Sequence, residues 1–85
     1  MKEFRYVIKD AIGIHARPAG ELVKLSSKFQ SEIRLEKEGK KVDAKRVMAV
    51  MGLGVKNNSE ITITAEGVDE EEAIAVLKEF FENNL

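Results

Sequence analysis

The most pointed chemistry in this chain sits in seven consecutive residues, Gly13-Ile14-His15-Ala16-Arg17-Pro18-Ala19. Histidine changes charge near neutral pH, and its ring nitrogens can act as nucleophiles. Two residues on, Arg17 offers a fixed positive charge and a planar fork of donors that matches phosphate oxygens. Proline is favoured in the first turn of a helix, where backbone N–H groups have no helical acceptor. Pro18 therefore signals a helix start, with the N–H groups around Ala16 and Arg17 free to face an anion. The positive end of the helix dipole falls at the same spot. A residue before proline resists the α region, so an irregular start is expected at Arg17. The set could hold a phosphoryl group carried on His15 or held beside it. The same residues also fit a plainer account, a solvated loop histidine next to a helix-starting proline. Residue chemistry alone leaves both open. No Gly-rich nucleotide loop, Ser-His-Asp set or close carboxylate pair accompanies them.

A second stretch stands out at 45–53. Val47, Met48, Val50, Met51 and Leu53 are too many apolar groups for one narrow stripe on so short a helix. Some must be core. Met48 and Met51, with their adaptable thioethers, could stay exposed as a partner-binding patch. Lys24, Lys45 and Arg46 could rim that patch with positive charge, although ordinary solvation explains each of them equally well.

Alternating and helical patterns supply the elements around these residues. Residues 3–9 put Phe4, Tyr6 and Ile8 on one face and Arg5, Val7 and Lys9 on the other, which predicts a strand. Ala16, Ala19, Leu22, Val23, Ser26 and Phe29 recur at helical spacing. Ile33 and Leu35 alternate with Glu32, Arg34 and Glu36. Glu38-Gly39 reads as a tight turn into a short strand around Val42, hence a hairpin. Residues 44–53 predict a short helix stopped by Gly52 and Gly54, with Asp43 as a candidate upstream cap. Ile61, Ile63 and Ala65 alternate with Thr62 and Thr64. Asp69 is expected to cap a last helix, with Glu72 in capping-box position and Ala73, Val76, Leu77, Phe80 and Phe81 as its buried stripe. Four one-faced strands and two long amphipathic helices make a two-layer α+β sandwich; spacing does not give the strand order.

Composition narrows the function. A length of 85 residues fits one domain over 1–85. There is no cysteine, so thiolate metal cages, disulfides and cysteine nucleophiles are excluded, and one histidine excludes a multi-histidine metal site. Lys and Arg total 14 against 15 Asp and Glu, a balance that argues against an electrostatic grip on nucleic acid or an anionic membrane. No apolar run approaches the roughly 20 residues that cross a bilayer, and no secretory core opens the chain. A cytoplasmic protein is expected.

Gly13-Ile14-His15-Ala16-Arg17-Pro18-Ala19 resembles the phosphorylation-site signature of HPr, the histidine-containing phosphocarrier family of the phosphoenolpyruvate-dependent sugar phosphotransferase system. Phe29 with the Ile33 strand, the Met48-to-Gly54 segment and the final strand and helix also match at family-like spacing. The resemblance implies an open-faced β-sandwich, βαββαβα, with a four-stranded antiparallel sheet in order 1-4-2-3 covered on one face by three helices. It implies that Nδ1 of His15 takes a phosphoryl group from phosphorylated enzyme I and passes it to a histidine of a sugar-specific enzyme IIA domain. Arg17 and the N–H groups of Ala16 and Arg17 would stabilise that group. Ile14, Lys24, Lys45, Arg46, Val47, Met48, Met51 and Leu53 would face partner proteins. No metal or cofactor is implied, nor nucleic acid, and the carrier is expected to be a monomer.

The chain departs from the family in places. Arg46 stands where some members carry a regulatory serine, so no serine-kinase control is expected at that position. Serine phosphorylation would have to use Ser26, Ser27, Ser31 or Ser59. Ile12 and Gly20 replace residues that are often polar near the family's active site. The competing reading is an HPr-like paralogue acting mainly as a regulatory binding module for a transcription regulator or metabolic enzyme. The His15, Arg17, Pro18 set favours the carrier.

Overall fold

The computed structural model describes all residues from Met1 to Leu85. The chain runs β1 (Lys2–Val7), α1 (Ala16–Ser26), β2 (Glu32–Lys37), β3 (Lys40–Asp43), α2 (Val47–Gly52), β4 (Glu60–Glu66) and α3 (Glu70–Asn84). The sheet order is β1-β4-β2-β3, with every neighbouring pair antiparallel, as the resemblance implied. β1 and β2 both run against β4, so they are parallel to each other with β4 between them, and α1 lies in the crossover that joins them. β3 and β4 flank β2 in the same way, with α2 in their connection. Ile33, Leu35, Ile61, Ile63 and Ala65 are buried while their alternates Glu32, Arg34, Thr62 and Thr64 are not. The helices therefore cover one face and leave the other open.

The strands behave as their alternation dictates. Tyr6 sits opposite Ile61, Phe4 opposite Ile63, and Ile63 in turn opposite Leu35, forming one continuous inner row. The hairpin closes on two residues, Glu38 at φ 51° and Gly39 at φ 84°, between the paired Lys37 and Lys40. Left-handed φ at both central positions is the turn whose twist matches a two-residue hairpin. On the helical side, α3 drives Phe81 into the core, where it meets Phe4, Tyr6 and Phe80 edge-on at centroid distances of 5.9, 5.6 and 5.9 Å.

Helix ends differ from expectation in four places. Helix α1 stops at Ser26 and does not reach Phe29, because the chain tightens there. Lys28 N donates to Leu25 O and Phe29 N to Ser26 O, both at 3.2 Å, while Phe29 still packs on the core. Ala16 is exposed, and Pro18 takes the inward position of the first turn.

Helix α2 begins at Val47 and not at Ala44. Ala44 N extends the sheet by donating to Ile33 O at 2.9 Å. Asp43 does not cap the helix: its Oδ1 accepts from Lys45 N at 2.9 Å and builds a turn ahead of it. Asp69 precedes α3 but makes no side-chain cap, and no capping box with Glu72 forms. Its carboxylate accepts instead from the N–H groups of Gln30 and Ser31, each at 2.9 Å, and from the Ser31 hydroxyl. Glu70 closes the start of α3, accepting from Gly67 N at 3.1 Å. These bonds hold both carboxyls below the usual carboxylate range; the Ser31 hydroxyl contributes most at Asp69 and the Gly67 N–H most at Glu70.

Candidate functional site: the start of helix α1

His15 is the residue immediately before α1, in extended backbone at φ −97° and ψ −173°. Its carbonyl accepts the first helical bond, from Ala19 N at 2.9 Å, and its imidazole makes no capping bond. Pro18 has no N–H, so the orphan donors of this first turn are those of Ala16 and Arg17, and neither donates to another group of the chain. No acidic side chain occupies the first turn. The expected irregularity at Arg17 does not appear; Arg17 is the second residue of the helix.

The approach loop is fixed by its own chemistry. Asp10 Oδ1 accepts from Ile12 N at 2.8 Å and Gly13 N at 3.2 Å, turning the chain after β1. Gly13 adopts φ 86°, and a Cβ there would collide with the Val55 carbonyl and Lys56 Cα. Ile14 N then donates to Val55 O at 3.2 Å. Only glycine lets the loop lie this close to Val55, and that contact delivers His15 to the helix start.

Beside the imidazole lies an open cleft of about 180 Å³, lined by Asp10, His15, Arg17, Pro18, Glu21 and Asn84. The structure thus brings together His15, Arg17 and Pro18 as the sequence suggested. It adds three residues that sequence reasoning missed. Glu21 was within reach, since it stands one turn after Arg17, and its Oε1 lies 3.5 Å from Arg17 Nε. Asp10 had a weaker signal, an Asx turn before a glycine. Asn84 comes from the far end of the chain and has no local signal.

The second expected surface divides. Met48 is 76% exposed, and Val47 and Met51 are 38 and 39% exposed. Ile14 and Leu53, placed by the resemblance among partner-facing positions, are only 6 and 7% exposed and belong to the core. Lys24 and Arg46 are exposed. Lys45 is half-buried, because its Nζ donates to Phe29 O at 2.7 Å and ties down the chain after α1. Ser26 and Ser31 are fully buried; of the serines raised as modification sites, Ser27 is exposed and Ser59 half-buried. No helix is long and apolar enough to cross a membrane.

Known proteins share this whole architecture. The family described as PTS HPr component phosphorylation site matches residues 2–83. The phosphocarrier protein HPr of Mycoplasma genitalium is 48% identical over 85 residues, spanning 99% of this chain and 97% of that protein. The crystal structure of an HPr from Thermoanaerobacter tengcongensis, also 48% identical, superposes with a TM-score of 0.93 over 98% of this chain and 93% of its own. A mycoplasma histidine-containing phosphocarrier protein, 39% identical, gives 0.94 over 96 and 93%. Agreement along nearly the full length, in residues and in backbone alike, makes this chain a member of the HPr family, a phosphocarrier of the phosphotransferase system and not itself an enzyme.

Proposed function

We propose that His15 accepts a phosphoryl group from phosphorylated enzyme I and hands it to a histidine of a sugar-specific enzyme IIA domain. One observation carries this reading: an imidazole and a guanidinium line one open cleft at a helix start whose first two N–H groups, those of Ala16 and Arg17, have no partner in the chain. In the transfer, an N–P bond to the donor breaks as an N–P bond to Nδ1 of His15 forms. The transition state spreads charge over the equatorial oxygens, so catalysis by the chain amounts to placing positive charge and donors near them. The N–H groups of Ala16 and Arg17 have no bond in the chain to give up before they meet such oxygens, and the Arg17 side chain, 87% exposed, is free to swing in.

Met48, with Val47 and Met51 beside it, provides the apolar centre of a docking face, and Lys24 and Arg46 provide a cationic margin. A small apolar patch with charged edges suits reversible docking of one carrier on several partners. The chain acts as one unit, in the cytoplasm and as a monomer, and Arg46 leaves no serine to phosphorylate at the start of α2.

Incubation with phosphoenolpyruvate and enzyme I should label the chain with one phosphoryl group, labile in acid and stable in alkali, as a phosphoramidate is. His15→Ala should take up none. Label that persists in that variant would place the acceptor elsewhere.

A further inference from the structure

Glu21 stands one turn beyond Arg17 on α1 and lines the same cleft as His15. Its carboxylate lies 3.5 Å from Arg17 Nε, so the guanidinium that would serve a phosphoryl group already has an anionic partner. Both side chains are well exposed, so their attraction is weak and screened by water. A phosphoryl dianion at the helix start, bound through charge-assisted bonds, would win the guanidinium from it. The other cleft carboxylate, Asp10, is committed to its turn through the Ile12 and Gly13 N–H groups. Among the lining groups one guanidinium faces two carboxylates, an unwelcoming balance for an incoming dianion.

We infer that Glu21 is a positioning residue that sets how tightly the loaded phosphoryl group is held. It pairs with Arg17 while His15 is bare, has to release it when the group arrives, and then repels the dianion with its own charge. Both effects raise the free energy of the loaded state relative to the bare one, which makes the group easier to pass on. Glu21 forms no bond and takes no proton in the transfer: the donor nitrogen keeps the electron pair of the broken N–P bond. The inference rests on His15 being the acceptor, as proposed above.

Two variants test it in the full-length chain. The chain is first loaded with potassium phosphoramidate, whose N–P bond breaks as the imidazole attacks and whose nitrogen leaves as ammonia. Loaded wild type is then mixed with an equal amount of bare Glu21→Gln chain and a trace of enzyme I to exchange the group. Mass spectrometry reads the share carried by each. The variant should hold about two- to fivefold more label, the scale of one exposed ion pair plus a screened repulsion. With Arg17→Gln in both chains, the part of the gain that comes from freeing the guanidinium should vanish and only the screened repulsion remain, a reduction that a general change in helix stability would not produce. Equal partition, or an undiminished gain without Arg17, overturns the role of Glu21 and leaves the carrier assignment intact. If His15 takes no label from phosphoramidate or enzyme I, the carrier assignment falls and the inference falls with it.

Discussion

Asp69 shows how one side chain can join parts of the chain that lie far apart in sequence. It precedes α3, where an acidic residue ordinarily caps, yet its oxygens accept from Gln30 and Ser31 at the end of the α1–β2 connection. Those bonds favour the ionised form, so its folded pKa lies below its unfolded one. The sign follows from linkage. The contribution is present above the ordinary carboxylate range and disappears as pH falls through the depressed folded value. Glu70, lowered mainly by the Gly67 N–H, acts in the same direction. Asp69→Asn should therefore be less stable than wild type at neutral pH, and the gap should narrow under acid. Urea titrations at several pH values measure this; a gap that is unchanged from neutral pH to acid would mean that the carboxylate charge is not what holds the loop. The sequence showed Asp69 as a cap because local spacing is all that a capping rule reads. A partner 38 residues away, as Ser31 is, leaves no mark at that range. The same limit hid Asn84, while His15, Arg17 and Pro18 were legible because helix-start chemistry is local.

Helix α1 carries the candidate site, and its own propensities bear on how firmly that cleft is held. Gly20 lies in its interior, exposed, and a Cβ added there meets nothing within 4 Å. Glycine in a helix interior costs conformational entropy without any steric reason here to keep it. Gly20→Ala should stabilise the chain by about 0.5–1 kcal/mol, read as a higher denaturation midpoint at unchanged slope. Labelling of His15 should persist in this variant, since the new methyl faces open space. A midpoint that falls would show that Gly20 answers to a constraint other than helix formation. At this scale the periodicities located every strand and helix, and the Glu38-Gly39 turn was readable because its two residues must both take positive φ. Boundaries failed where backbone groups found partners outside their own element. Ala44 reads as helical by type, but its N–H completes the sheet by bonding Ile33 O.

Strand order is the property that no window of sequence contains. Each strand is one-faced, and many orders would bury the same residues; the resemblance to a family supplied 1-4-2-3, and the two interlocked crossovers realise it. Placing β4 between β1 and β2 lets α3, the next element after β4, lie back over β1 and β4. Phe81 fastens it there, meeting Phe4 and Tyr6 of β1 edge-on. That packing also shapes the cleft, because Asn84 follows Phe81 by less than one helical turn and forms part of the wall beside His15. Truncating a fully buried phenylalanine costs about 3–5 kcal/mol, a large part of the stability expected for a domain of this size. Phe81→Ala should accordingly fold only marginally. Below its lowered midpoint, it should also lose amide exchange protection in α3 before it loses protection in the β2–β4 pairing. Hydrogen exchange resolved by residue measures that order. If α3 and the central strands open together in both chains, the aromatic contact is one part of a uniform core, and the cleft owes its shape to the whole sheet rather than to the seating of its last helix.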